Sequence, residues 1–421
     1  MIVNNTEPAE WQGRGIELAM NGLDQDQVNF QLKQFLGELS YSVSNLPVLI
    51  NESDLSEFQH LSEVLNRAFI QIVQHYFSDE RIRDIYQLDT ELEAILKMAH
   101  PYPYQVGMYR PDFVIDLTGQ KKICEIGCRY PFNGWMFSYY LNEVIAKLVQ
   151  PDFDNWSEVF GLNDFLDDYV KTLNPSEPLF WIHDQEKGTE VNYLFRELEK
   201  RNIRAESISS SDLYLKEKRM FVGETEAQQF ILEMDREELK QIHLSVLESL
   251  IASGKCTNDV RSLILVHDKR VLAVLCNKQI MRDYLSETDY AFLSRFLIPS
   301  FIPDTEEKRN ELIDSTKNRV LKNNSGGRGI GMYVKDDCDP ELWSRIVTCE
   351  WSKYMVQDYV DQKYFDFCSE GKNEQINVVG LLLCKDGWSY GPGIFRGSTE
   401  KVINMHEGRG VFLPCVVEKN G

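Results

Sequence analysis

Residues 320–334 read VLKNNSGGRGIGMYV, and this stretch carries the strongest structural signal in the chain. A strand ends in Lys322, a glycine-rich loop follows, and a second strand begins. Glycines let successive backbone N–H groups turn into one concavity, so such a loop can lie over phosphate oxygens, with Lys322 supplying a cation at the strand end. The loop lacks the G-K-[ST] ending of a Walker loop. A strand rather than a helix follows the glycines, which argues against a dinucleotide fingerprint. Strand, glycine loop and strand together make a flap. Taken alone, the same residues also fit a flexible hairpin with an incidental lysine.

Well upstream, FVIDLTGQKKICEIG alternates in polarity around a T-G turn and reads as a hairpin, with strands at Asp112–Leu117 and Lys122–Ile126. Arg110 and Asp112 lie on one strand, Glu125 and Arg129 at the end of its partner. Two acids beside two arginines suit Mg²⁺ with polyphosphate, because carboxylates hold a hard cation and guanidinium groups grip phosphate oxygens. An ordinary surface ion-pair network is the alternative.

The remaining chain supplies context. Leu61, Leu65, Phe69, Ile72 and Tyr76 recur at helical spacing, predicting a helix over 54–77 capped by Asn51 or Ser53. A helix is expected over 133–148 and a linker at NPSEP, 174–178. PLFWIH, the helix over 190–200, IRAESI and RMFVG suggest a small α/β unit. An acidic helical stretch over 235–253 and a strand at SLILVHD follow, then a helix over 271–284 that carries Lys278. The last third reads as strand-rich, with a D-G turn at Asp386–Gly387.

Composition bounds the function. The chain has 421 residues, 43% hydrophobic, enough for two or three subdomains. Its 45 basic and 66 acidic residues give a formal net charge of −21, a field that disfavours nucleic acid and anionic membranes. No basic and apolar leader opens the chain, and no apolar run approaches the roughly 18 residues needed to cross a bilayer. Nine scattered cysteines without C-x-x-C spacing suit a reduced, cytoplasmic setting with buried thiols. The seven histidines lack H-x₃-H or H-E-x-x-H spacing, and His183, His267 and His406 read as core or surface residues.

Taken in order, R-x-D, E-I-x-x-R, Asn277–Lys278, V-L-K with its glycine loop, and Tyr354–Val360 resemble a circularly permuted ATP-grasp ligase. Eukaryotic-type glutathione synthase and glutathionylspermidine-synthase-like proteins are the relatives, and the resemblance spans roughly 100–150 and 260–420. The acids precede the glycine loop here, the reverse of the ordinary ATP-grasp order. The resemblance implies an α/β (α+β) fold in four parts: a helical region (1–100), an ATP-grasp half with the metal-binding acids (101–175), a small α/β substrate domain (176–262), and a half with flap and adenine hinge (263–421).

It further implies ATP and Mg²⁺ as cofactors and the joining of a small-molecule carboxylate to an amine through an acyl phosphate. Lys278 and Lys322 match its phosphate lysines, and Gly326, Gly327, Arg328 and Gly329 its phosphate-covering loop. Gln357, Asp358, Tyr359 and Val360 match the adenine hinge, Asp112 and Glu125 the metal-associated acids, and Arg110, Arg129 and Arg396 the catalytic arginines. Two positions depart from the pattern: Gly127 replaces the usual asparagine metal ligand, and Asn324–Ser325 stand where a loop glutamate is common. Asn133 is the candidate substitute ligand. A non-catalytic ATP-binding protein and a phosphotransferase are the rival classes, and a homodimer is the default assembly.

Overall fold

The computed structural model describes residues 16–19, 21–37, 42–149, 155–159, 161–185, 188, 190–326, 331–369, 372–403, 405 and 410–419, with the side chains at 368, 369, 372 and 373 left aside. Among the described residues a seven-stranded sheet forms the body of the molecule. Its order is Ser42–Val43, Val411–Leu413, Trp388–Ser398, Lys372–Lys385, Met108–Ile115 and Lys121–Gly127, with Phe365–Ser369 branching from the longest strand. The Asp386–Gly387 turn joins the two longest strands, and Asp386 takes a left-handed φ of 51°.

One face of this sheet packs on the helix Glu52–His75. Asn51 and Asp54 form a reciprocal capping box at its start. Leu61, Leu65, Phe69, Ile72 and Tyr76 are all buried along it, as their spacing predicts. Phe58 packs at a tilt on Phe113 of the sheet, ring centroids 5.4 Å apart, and Phe69 meets Tyr109 edge-on at the same centroid distance. Because side chains alternate along a strand, burying Phe113 against this helix turns Asp112 to the opposite face. Lys121, paired with Asp54 at 2.6 Å and Glu57 at 2.8 Å, ties the helix to the acid-bearing hairpin.

The N-terminal hundred residues are not purely helical. Ser42–Val43 pairs in parallel with Val411–Leu413, and Val48–Asn51 with Cys415–Glu418, so this region completes sheets begun at the other end of the chain. The small α/β unit is a three-stranded parallel sheet, Gln229–Leu232, Leu179–Ile182 and Ala205–Ile208, with the helix Val191–Lys200. Arg219–Val222 belongs instead to a separate antiparallel sheet.

Two sequence expectations fail around residue 265. SLILVHD is not a strand: Ser262–Val266 forms a π-helical turn, closed by His267 N–H donating to the Ser262 carbonyl at 2.9 Å. A short apolar run buried on all sides has no periodicity to separate strand from helix. The helix expected over 271–284 is two helices, Arg270–Cys276 and Lys278–Tyr284. Asn277 breaks it by leaving helical geometry and capping the second helix through its side chain.

The flap hairpin lies in a four-stranded sheet, ordered Ser300–Phe301, Tyr354–Asp358, Arg319–Asn323 and Met332–Val334. Leu312, Leu321, Trp343, Ile346, Val347, Tyr354 and Val356 give it a hydrophobic cluster separate from that of the body. We call this part the lid. Among the described residues no helix is long and apolar enough to cross a membrane.

Candidate nucleotide cleft

Body and lid face each other across an open cleft with a cavity of about 190 Å³. The acid hairpin supplies its floor. Asp112 and Glu125 are directly opposed in register, so both carboxylates stand on the face turned away from the helix. Val114, Val379 and Arg396 extend that floor, Lys322, Asn323, Met332 and Val334 form the roof, and Gln357, Asp358, Tyr359 and Val360 close one end.

Each hinge residue has a distinct role in shaping that end. Gln357 is buried and donates to Ser300 Oγ at 3.1 Å. The Asp358 carboxylate is paired with Lys317 and Arg319. Tyr359 N–H donates to the Asn318 carbonyl at 3.3 Å. Val360 follows the strand end, and its N–H and C=O find no hydrogen-bond partner among the described residues.

Two lysines cross between body and lid in opposite directions. Lys322, on the lid, donates to the Cys124 carbonyl of the body at 2.8 Å. Lys269, on the body, donates to the Gly326 carbonyl of the loop at 2.8 Å and lies 3.4 Å from Glu125. Burial depresses the Lys322 ammonium, partly countered by nearby Cys124 and Glu125. The Glu125 carboxyl is pushed up by burial, but Lys269 and Lys322 more than offset this and hold it below the ordinary carboxylate range. On the other acid, Arg396 Nη2 binds Asp112 Oδ2 directly.

Lys278, expected as a phosphate lysine, lies exposed at the start of its own short helix and does not line the cavity; Lys269 does. Lys269 follows the π-turn by three residues and lines the cleft, while His267 and Asp268 between them line a second, smaller cavity. Gly326 is described, with a φ of 96°, while Gly327, Arg328 and Gly329 lie outside the described residues, as does His406.

Arg110 is two register pairs beyond Asp112, on the same face and opposite Gly127, and does not line the cavity. Its guanidinium lies where a side chain at Gly127 would begin: a Cβ there would sit 2.8 Å from Arg110 Nη2. It also donates to the Tyr130 carbonyl. Arg129 lies farther off, 3.4 Å from Asp235 and 3.6 Å from Glu238. With His267 and Ser325 it lines that smaller cavity behind the glycine loop. His267 Nδ1 accepts from Cys128 N–H at 3.3 Å, and burial and then Lys269 push its ring down to about 4.

Beyond Arg110 lies a polar cluster that the sequence did not signal. Glu190 accepts from Gly134 N–H at 2.6 Å and Phe137 N–H at 2.8 Å, capping the helix Trp135–Leu148 that has no side-chain cap of its own. Glu233 accepts from Trp181 Nε1 and Gly188 N–H, both at 3.0 Å. Burial pushes each carboxyl up to about 7. Asn133, the candidate substitute metal ligand, joins this cluster rather than the cleft: its Oδ1 and Glu233 Oε1 lie 2.9 and 3.1 Å from where a Gly188 Cβ would sit.

Magnesium fits this donor set poorly. Of the two carboxylates on the floor, one is bound by Arg396 and the other is paired with Lys269; the third position of that face, Gly127, lies under the Arg110 guanidinium. Among the described residues no group of three or more His, Cys, Asp or Glu is arranged to hold a metal ion.

With this geometry established, three comparisons bear on it. The family model of the AnkG N-terminal domain matches residues 61–265, just under half of the chain. That stretch contains the acid hairpin and the small α/β unit but not the lid. No curated protein matches the sequence. Among solved structures, the apo form of a glutathione synthetase-like effector from Globodera pallida aligns over 94% of this chain and 97% of its own, with a TM-score of 0.59 and 11% identity. At that identity the likeness speaks to fold alone. This chain has a mixed α+β, glutathione synthetase-like fold.

Proposed function

We propose that the chain binds ATP in the cleft between body and lid, in the manner of a permuted ATP-grasp protein, and uses it to join a carboxylate to an amine. One observation carries this: Asp112, Glu125, Lys269, Lys322, Gln357–Val360 and Arg396 converge on a single cavity from sequence positions more than two hundred residues apart.

The Val360 N–H and C=O suit the edge of adenine. The phosphates lie toward Lys322, Lys269 and Arg396, whose charge-assisted hydrogen bonds to phosphate are stronger than the carbonyl bonds both lysines now make. Transfer of the γ-phosphoryl group to a substrate carboxylate is mainly a matter of positioning and charge stabilisation, which these cations supply. An amine then attacks the acyl phosphate and displaces phosphate, and Arg110, next along the face that carries Asp112, steadies the oxyanion. The lid excludes water from the activated acyl group.

A screen of amino acids and small amines for ADP release, with products identified by mass, tests this reading. Amine-dependent ADP release with a condensed product is expected. Nucleotide binding without substrate-dependent ADP release would favour the second reading, a non-catalytic nucleotide-binding protein. The Arg110 guanidinium over Gly127 favours that alternative, since the floor lacks a third metal ligand.

A further inference from the structure

We propose that the cleft binds nucleotide without recruiting a divalent cation, Lys269, Lys322 and Arg396 neutralising the phosphates in its place. This rests on the nucleotide reading above and extends it to the way charge is balanced.

Three features of the floor support it. Magnesium needs near-octahedral oxygen ligation and is usually held by one or two carboxylates together with substrate phosphates. Here both available carboxylates are already engaged by cations. Next along the same face comes Gly127, which offers no donor, and over it lies the terminal nitrogen of Arg110. A divalent ion entering this corner would meet positive charge on several sides.

The cations are also placed to serve a phosphate without abandoning their acids. Arginine offers five N–H donors in a fixed fork. Arg396 spends Nη2 on Asp112 and makes no other hydrogen bond among the described residues. It can therefore hold Asp112 through Nη2 and offer Nη1 to an anionic oxygen. Lys322 has only a carbonyl partner, and no carboxylate lies within ion-pair distance of it among the described residues. With no carboxylate bonded to it, its ammonium can take a phosphate oxygen without giving up an ion pair. Lys269 reaches the loop carbonyl of Gly326, at the position a phosphate beneath the flap would take.

The test titrates the full chain with a fluorescent ADP analogue, once with magnesium and once with EDTA. The two dissociation constants are expected to agree within about threefold, well under the 1.4 kcal/mol that a tenfold change represents. Gly127→Asn supplies an amide oxygen and displaces only the flexible end of Arg110. In that variant magnesium is expected to tighten binding about tenfold, the lower end of what one metal-supporting group contributes. Arg396→Met is expected to weaken binding about tenfold in both media.

Wild-type binding that weakens tenfold or more in EDTA would overturn this inference and leave the nucleotide reading standing. Unchanged binding by Arg396→Met in EDTA would likewise overturn it. Absence of binding in both media would overturn the nucleotide reading and this inference together.

Discussion

The acid hairpin and the flap hairpin meet over one cavity, yet they are anchored very differently. The acid hairpin forms an edge of a seven-stranded sheet and shares a hydrophobic core that runs from Ile16 to Val417. The flap belongs to a four-stranded sheet whose own cluster has seven buried members, from Leu312 to Val356. Few apolar contacts mean a low free energy of local opening, so the lid can open while the body stays folded. Lys322 and Lys269 cross the gap as hydrogen bonds to carbonyls, and such bonds exchange readily for stronger anionic partners. A nucleotide that takes both ammonium groups would draw lid and body onto itself.

The sharpest way to break this comparison is Trp343→Ala. Trp343 is buried in the lid cluster and donates Nε1 to the Leu312 carbonyl at 3.3 Å. Its loss should cost about 3–5 kcal/mol. Hydrogen exchange should then accelerate across 300–359 while 108–127 stays protected; equal acceleration in both would mean that lid and body unfold as one unit.

The body has its own pH signature. Glu233 is fully buried, and burial lifts its carboxyl from 4.5 to about 7. The folded state therefore holds its proton more tightly than the unfolded chain. Stability from this group is complete below about 4.5, falls as pH rises toward 7, and is flat above that, a loss of up to about 3 kcal/mol. Glu233→Gln keeps an acceptor for Trp181 and Gly188 and should remove that slope, melting higher than wild type at pH 8 and close to it at pH 4. Parallel melting curves for the two proteins between those values would show that Glu233 is ionised at little cost.

Lys322→Ala removes the cation that bridges lid to body and should reduce nucleotide-dependent ADP release at least about tenfold, with the circular dichroism spectrum unchanged. Wild-type turnover would remove Lys322 from the site. The smallest effect belongs to Lys278→Ala. Its side chain is exposed and outside the cavity, so stability and nucleotide affinity should stay within about 0.5 kcal/mol of wild type. Lys269→Ala, measured alongside, should lose about tenfold in affinity; a loss in the Lys278 variant instead would reverse the assignment of the two lysines.

Local pattern made much of this molecule legible before any coordinates. The alternation around Thr118–Gly119 gave the acid hairpin, and the observed register sets Asp112 opposite Glu125. The lysine, glycines and second apolar run of 320–334 gave the flap, whose strands pair Lys322 with Met332. The 3.6-residue spacing from Leu61 to Tyr76 gave the helix behind the sheet. In each case the information lies within a few residues, because strand alternation and helix periodicity are properties of neighbouring positions.

Tertiary structure alone decided the rest. Whether Lys269 or Lys278 faces the cleft depends on a π-turn at 262–266 and a helix break at Asn277, both set by burial against distant elements such as Tyr86, whose hydroxyl binds the Leu265 carbonyl at 2.7 Å. Arg110 and Arg129 share the acid hairpin, yet one lies over Gly127 and the other turns to Asp235 and Glu238. Glu190 and Glu233 come together only because a helix end and a strand end meet there. Sequence fixes which residues can share a face; which distant charges those faces meet is settled by how the packed elements approach one another.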